Sequence, residues 1–149
     1  MNLDEKIINA LKDLDYKEAT EIQKKAIPIA LKKRDILAAA QSGTGKTAAF
    51  LLPILTELLA NKQVDKPILR ALILVPTREL ATQISKAVSD FSKYMEVESL
   101  AMVGGVSTKD QEKKIAKGLD ILVATSGRLM EHLKNGTVDL SSVTTVVID

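Results

Sequence analysis

The segment Ala40-Gln41-Ser42-Gly43-Thr44-Gly45-Lys46-Thr47 determines how the rest of this chain is interpreted. It follows the apolar run Ile36–Ala39 and precedes a second apolar run, Ala48–Leu52. A strand that ends in a glycine-rich loop, which then opens a helix, is the context in which a phosphate-binding loop occurs. Glycines allow successive backbone N–H groups to surround an anion, and the helix N-terminus adds partial positive charge.

In a loop of this kind, Lys46 reaches the outer phosphates and the Thr47 hydroxyl binds Mg²⁺. Ala40 stands where the usual pattern has glycine, which is acceptable if its backbone stays outside the left-handed region. The alternative is a glycine-rich turn with an incidental lysine. The complete pattern favours a nucleotide site, and the residues predicted to bind the cofactor are Gln41, Ser42, Gly43, Thr44, Gly45, Lys46 and Thr47.

The composition is that of one soluble globular domain. The chain has 149 residues, of which 46% are hydrophobic and 27% charged, and its net charge of +2 is too small to indicate nucleic-acid binding by itself. It contains no cysteine, which excludes disulfides and thiolate metal sites and suits a reducing cytoplasm. The longest apolar runs contain Pro53 or end in charges, so we expect no membrane span.

The remaining sequence alternates between apolar runs and amphipathic segments. Because the strands are apolar throughout and separated by helices, the pattern predicts a doubly wound α/β fold with a mostly parallel sheet buried on both faces. Ligands bind such sheets beyond the carboxyl ends of the strands. The predicted strands are Ile36–Ala39, Leu69–Val75, Glu98–Val103, Ile121–Ala124 and Thr144–Ile148. The predicted helices are Asn2–Leu14, Glu21–Leu31, Lys46–Asn61, Thr77–Tyr94, Ser107–Lys117 and Gly127–Lys134, the last carrying His132 on its surface.

Six segments follow one another along the chain: Tyr16-x-x-x-Thr20-x-Ile22-Gln23, Ala40–Thr47, Pro76–Leu80, Gly104-Gly105, Thr125–Arg128 and Val146–Asp149. In this order they resemble the Q motif, the phosphate loop, motif Ia, the GG motif, the TPGR motif (with Ser126 for proline) and the strand entering the DEAD box in the first RecA-like domain of a DEAD-box ATP-dependent RNA helicase. The resemblance covers nearly every residue and implies a P-loop NTPase fold, with residues 1–149 as one partial ATP-binding domain.

The Q-motif resemblance implies that Tyr16, Thr20 and Gln23 bind adenine. A side-chain amide donates to adenine N7 and accepts from the N6 amine, whereas guanine presents only acceptors there. A preference for ATP over GTP follows, with Tyr16 stacked on the base. Without the resemblance, Gln23 would be an exposed helix residue and Tyr16 a hydrophobic staple.

The resemblance also implies catalytic roles and an RNA site. Lys46 and Asp149 would be the catalytic residues, and Thr47 and Asp149 would hold Mg²⁺ beside ATP. The loops after the strands would hold the backbone of single-stranded RNA, which carries no sequence information. The residues assigned to RNA are Pro76, Thr77, Arg78, Gly104, Gly105, Thr125, Gly127 and Arg128. Each loop also has a structural alternative, since Gly104-Gly105 could be a plain turn and Arg128 an exposed arginine.

The chain stops at Asp149, the first residue of the DEAD-like motif. The glutamate that follows in the family, the Ser-Ala-Thr motif and the second RecA-like domain have no counterpart. We therefore expect a sheet truncated before its last strands, and an isolated chain that neither hydrolyses ATP nor unwinds RNA. Alternative functions are a DNA helicase of the same superfamily, a small-molecule kinase, or a non-enzymatic nucleotide-binding or protein-binding fragment.

Overall fold

The computed structural model describes residues 3–62 and 65–149, and within these ranges helices precede and alternate with strands. The elements are α1 (Glu5–Asp13), α2 (Glu21–Leu31), α3 (Lys46–Ala60), β1 (Ala71–Val75), α4 (Arg78–Phe91), β2 (Ser99–Met102), α5 (Thr108–Lys117), β3 (Ile121–Thr125), α6 (Ser126–Lys134) and β4 (Thr145–Ile148). Most lie within two residues of the predicted bounds. The Asp4 side chain accepts from the Lys6 N–H at 2.8 Å and caps α1, whereas Asn2 lies outside the described residues.

The four strands form one parallel sheet in the order β2-β3-β1-β4. Val75 pairs with Thr125, Ala124 with Met102, and Leu74 with Ile148. The carboxyl ends of all four strands therefore lie along one edge of the sheet. The predicted α/β fold with a parallel sheet is confirmed.

Both faces of the sheet are buried, which explains why the strands are apolar throughout. One face carries Leu72, Leu122 and Met102, which pack with side chains from the flanking helices. On the other face, Ile73, Ile121 and Val123 are fully buried. The edge strand β4 differs, because Val146 is 55% and Ile148 81% exposed.

The chain divides into two compact units. One is formed by Met1–Lys62 with Ala87–Glu96, and the other by Gln63–Lys86 with Val97–Asp149. The segments that resemble the Q motif and the phosphate loop belong to the first unit, and the sheet with its loops belongs to the second. Along the described residues, no helix combines the length and apolarity needed to cross a membrane.

The prediction of a strand at Ile36–Ala39 was wrong for this structure. Residues 34–41 form no regular element, Leu37 is fully exposed and Ile36 is 41% exposed. A strand is stabilised by hydrogen bonds to a neighbouring strand, and no described strand pairs with this segment. Neither internal proline ends its helix, since α2 continues past Pro28 and α3 past Pro53.

Candidate nucleotide and nucleic-acid sites

The phosphate-loop segment has the backbone geometry that its glycines allow. Gly43 has φ +80° and Gly45 φ +88°, and α3 begins at the next residue, Lys46. Ala40 is not in the left-handed region, so the missing first glycine causes no strain. The first-turn N–H groups of α3 have no partner within the helix. The loop therefore ends at a helix N-terminus, which is the environment that an anion requires.

Gln23 is 3% exposed, so the alternative in which it is an exposed helix residue is wrong. Its Oε1 accepts from the Thr20 N–H at 3.0 Å, and its Nε2 donates to the Gly45 carbonyl at 3.1 Å. The buried amide thus joins the start of α2 to the phosphate loop. Each amide atom still has unused capacity, because Nε2 carries a second hydrogen and Oε1 a second lone pair.

Gly45 is required sterically as well as conformationally. A Cβ at this position would collide with Gln23 Nε2 and would lie 2.8 Å from Thr20 Oγ1. No heavy atom lies within 4 Å of a Cβ built on Gly43. Tyr16 is 45% exposed, and its ring meets Phe91 edge-on at 5.8 Å between centroids. Tyr16, Thr20, Gln23 and the phosphate loop all belong to the first unit.

In the second unit, two arginines contact one loop. We call residues 103–106 the GG loop; it follows β2 at the carboxyl edge of the sheet. The Arg78 Nη1 donates to the Gly104 carbonyl at 3.1 Å. Arg78 starts α4, directly after β1 and the short Pro76-Thr77 link, whose Thr77 Oγ1 accepts from the Leu80 N–H at 3.2 Å and caps the helix. A Cβ on Gly105, whose φ is +83°, would collide with Arg78 Nη1.

Arg128 reaches the same loop from the start of α6. Its Nη1 donates to the Val106 carbonyl at 3.0 Å, and its Nε lies 3.1 Å from Glu131 Oε2. Thr125 ends β3 at the N-cap of α6, and a Cβ on Gly127 would meet no atom within 4 Å. The predicted RNA residues of the second unit are therefore gathered at one sheet edge, with both arginines on the GG loop.

Asp149 lies at this same edge, after β4. It is exposed, and its backbone N–H donates to the Leu74 carbonyl at 3.0 Å, which extends the pairing of β4 with β1. Among the residues that the structure describes, no three His, Cys, Asp or Glu side chains are grouped as metal ligands.

The prediction that His132 lies on the surface was wrong. His132 is 1% exposed and hydrogen-bonds Gln111, which is also 1% exposed. The sequence contained a signal for this burial, since Leu129 lies one turn before His132 on the same helix face and is buried. Gln111, which contacts the GG loop through the Val103 carbonyl, was not singled out by any motif.

Two relatives that match this chain in sequence, and a solved structure that matches its fold, are all described as ATP-dependent RNA helicases. It is 45% identical over 144 residues to ATP-dependent RNA helicase DeaD from Escherichia coli K12, covering 96% of this chain and 22% of the relative. It is 41% identical over 150 residues to probable ATP-dependent RNA helicase DDX27 from Homo sapiens, covering 100% of this chain and 20% of the relative. This chain thus spans about a fifth of the length of these relatives.

A solved structure described as a hypothetical ATP-dependent RNA helicase from Sulfolobus tokodaii superposes with a TM-score of 0.87 at 37% identity. The match covers 99% of this chain and 41% of that one. The sequence model of the family described as DEAD/DEAH box helicase matches residues 20–149. The chain therefore belongs to the DEAD/DEAH box helicase family.

Proposed function

We propose that this chain is the N-terminal part of the ATP-binding, RecA-like domain of an ATP-dependent RNA helicase. In the intact cytoplasmic protein, a second RecA-like domain would close on ATP and RNA, and local strand separation would follow. The observation that carries the proposal is the placement of Arg78 and Arg128 on the GG loop at the carboxyl edge of the sheet. The relatives named as ATP-dependent RNA helicases support it.

The proposed nucleotide site uses Tyr16, Thr20, Gln23 and the loop Ala40–Thr47. Gln23 would pair with adenine through its second N–H and second lone pair, while keeping its bond to Gly45. Lys46 would hold the outer phosphates, and the loop amides would surround them. The ligand must reach an amide that is 3% exposed, which makes adenine recognition sensitive to the packing around it.

Mg²⁺ is implied by the family, and the donors of this chain fit it. The Thr47 hydroxyl and the Asp149 carboxylate are hard oxygen ligands, which Mg²⁺ prefers. We propose that these two residues hold the ion, directly or through water. A bound Mg²⁺ would neutralise charge on the phosphate oxygens, and the positions of Lys46 and the loop amides would supply the rest of the charge stabilisation.

The proposed RNA site lies along the strand-end loops of the second unit. Arg78 and Arg128 would supply charge to phosphates, and Thr77 and Thr125 hydroxyls would donate. Gly104, Gly105 and Gly127 would let the sugar-phosphate backbone approach, next to Pro76. Contacts of this kind make binding weaken as salt rises and carry no base preference.

Lys46→Ala in the intact protein tests the enzymatic part of the proposal. Loss of the phosphate-holding ammonium is expected to lower RNA-stimulated ATP turnover by about a hundredfold or more. An ATP binding isotherm and a turnover rate that both match the unaltered protein would contradict it. Competition between RNA and DNA strands of equal sequence then separates an RNA helicase from a DNA helicase, because phosphate contacts alone do not detect the 2′-OH.

A further inference from the structure

Gln111 and His132 form a buried polar pair beneath the GG loop. Gln111 lies on α5 and His132 on α6, and both are 1% exposed. Their side chains are joined at 2.8 Å between Gln111 Oε1 and His132 Nε2. A buried polar group without a partner destabilises a protein, so such pairs persist where their geometry is satisfied.

The direction of the hydrogen bonds is fixed by one backbone carbonyl. The Val103 carbonyl can only accept, so Gln111 Nε2 must be the atom that donates to it, at 3.0 Å. Gln111 Oε1 therefore faces His132, and His132 Nε2 must carry a hydrogen. His132 Nδ1 lies 2.7 Å from the Thr137 hydroxyl, which also donates to the His132 carbonyl at 3.1 Å. The result is a continuous hydrogen-bonded chain from Thr137 through His132 and Gln111 to the GG loop.

Three carbonyls of the GG loop each accept from a different helix. Val103 accepts from α5 through Gln111, Gly104 from α4 through Arg78, and Val106 from α6 through Arg128. A trans peptide places the N–H of the next residue opposite the carbonyl. The contact from Gln111 therefore fixes the direction of the Gly104 N–H, and the contact from Arg78 fixes that of the Gly105 N–H.

We propose that Gln111 and His132 are positioning residues for RNA binding. They hold the Val103 peptide so that the glycine N–H groups, and the arginines bonded to the next carbonyls, meet the RNA backbone in one fixed arrangement. This inference deepens the proposed RNA-binding function and rests on it. Neither side chain is expected to touch RNA or nucleotide.

Gln111→Met in the intact protein tests the inference, because methionine keeps the volume and removes both hydrogen bonds. We expect the RNA dissociation constant to rise about tenfold, the value for loss of one buried hydrogen bond, because only the bond to the Val103 carbonyl reaches the GG loop. We expect the ATP dissociation constant and the turnover at saturating RNA to change by less than about twofold, because neither lost hydrogen bond belongs to the proposed nucleotide site. The salt dependence of RNA binding should become shallower by about 0.7 per lost phosphate contact.

His132 offers a matched pair of variants. His132→Gln keeps a donor that can face Gln111 Oε1, and should bind RNA nearly as well as the unaltered protein. His132→Leu removes the donor and should behave as Gln111→Met does. Should Gln111→Met fail to fold, this pair makes the same comparison. Ser142→Ala is the control, because it removes a hydrogen bond from Ser142 Oγ to the Leu69 carbonyl, of 2.6 Å, elsewhere in the same unit.

The outcomes separate this inference from the proposed function. An unaltered protein that fails to bind RNA would overturn both. RNA binding that falls in Arg78→Ala and Arg128→Ala but not in Gln111→Met would overturn the positioning role alone. Equal losses of RNA and ATP affinity, with an unchanged salt slope and a melting temperature lowered as in Ser142→Ala, would show a purely structural role.

Discussion

Two glycine-containing loops of this chain hold their carbonyls in different ways. In the phosphate loop, the Gly45 carbonyl accepts from the neutral, buried amide of Gln23. In the GG loop, the Gly104 and Val106 carbonyls accept from the guanidinium groups of Arg78 and Arg128. The phosphate loop belongs to the first unit and the GG loop to the second.

The difference concerns what a ligand must displace. A nucleotide bound at the phosphate loop as proposed would leave the Gln23 contact in place and would meet the N-terminus of α3. In the proposed RNA complex, a phosphate would compete with a loop carbonyl for each arginine, and it would be the stronger acceptor because it is an anion. We therefore expect substitutions that break the Gln23 contact with the phosphate loop to abolish ATP binding. Substitutions at the GG loop should change RNA affinity by smaller, graded amounts.

Gly45→Ala should have the largest effect. Its Cβ would collide with Gln23 Nε2, and alanine is strained at φ +88°. Loss of the Gln23 contact together with backbone strain should lower the free energy of unfolding by about 2–4 kcal/mol and abolish ATP binding. Gly43→Ala is the matched control, because it has a similar φ and open space, and should lower the free energy of unfolding by about 1 kcal/mol. Denaturant unfolding and ATP titration of both variants measure the difference, and equal losses would contradict the packing argument.

Gly105→Ala should have the second-largest effect. The new Cβ would displace Arg78 from the Gly104 carbonyl, and we expect the RNA dissociation constant to rise about tenfold, as strain of 1–3 kcal/mol implies. Gly104→Ala meets only Arg128 Nη2, at 4.0 Å, and should change RNA binding little. Fluorescence anisotropy with a labelled single strand measures both. A larger loss in Gly104→Ala would contradict the role given to Arg78.

Glu131→Gln should strengthen RNA binding slightly. Glu131 Oε2 lies 3.1 Å from Arg128 Nε and would compete with an RNA phosphate for that arginine. Because a partly exposed ion pair is weak, we expect an increase in RNA affinity of about twofold to threefold at low salt. The gain should vanish at high salt, where exposed charges are screened. Weaker binding in this variant would indicate that Glu131 orients Arg128 instead of competing for it.

A pH effect on the first unit should be the smallest. Hydrogen bonds from Lys93 and Tyr94 hold the pKa of Asp13 below its ordinary value of 3.8. A carboxylate with a lowered folded-state pKa stabilises the fold above its unfolded pKa, and this stabilisation is lost as pH falls through the folded-state value. The melting temperatures of the protein and of Asp13→Asn should therefore differ slightly at pH 7 and converge below pH 3.8. A difference that grows at acid pH would contradict this assignment.

Sequence patterns predicted the fold better than the contacts of the site. Apolar runs locate the strands and amphipathic segments locate the helices, because burial on both faces of the sheet demands continuous hydrophobic strands. The run Ile36–Ala39 has the same composition but forms no strand, since strand formation depends on a partner that no local pattern reveals. Motif matching placed Arg78 and Arg128 at the sheet edge. It did not predict that both arginines donate hydrogen bonds to carbonyls of the GG loop.

The burial of two polar side chains was also not predicted from the sequence. Gln23 and His132 each share a helix face with buried aliphatic residues, Ala26 and Ile27 for the first and Leu129 for the second. Helical spacing could have predicted their burial, had polarity not been taken as a sign of exposure. Their partners, Gly45 and Gln111, are distant in sequence, and only the fold brings them into contact.

Among the strands of residues 3–62 and 65–149, only β1 pairs with β4, and this has a practical consequence for handling the chain. An open strand that displays Val146 and Ile148 is a template for joining a second polypeptide, backbone to backbone. Concentrated solutions of residues 1–149 should therefore form oligomers. Ile148→Lys should reduce oligomer formation, and light scattering measures both.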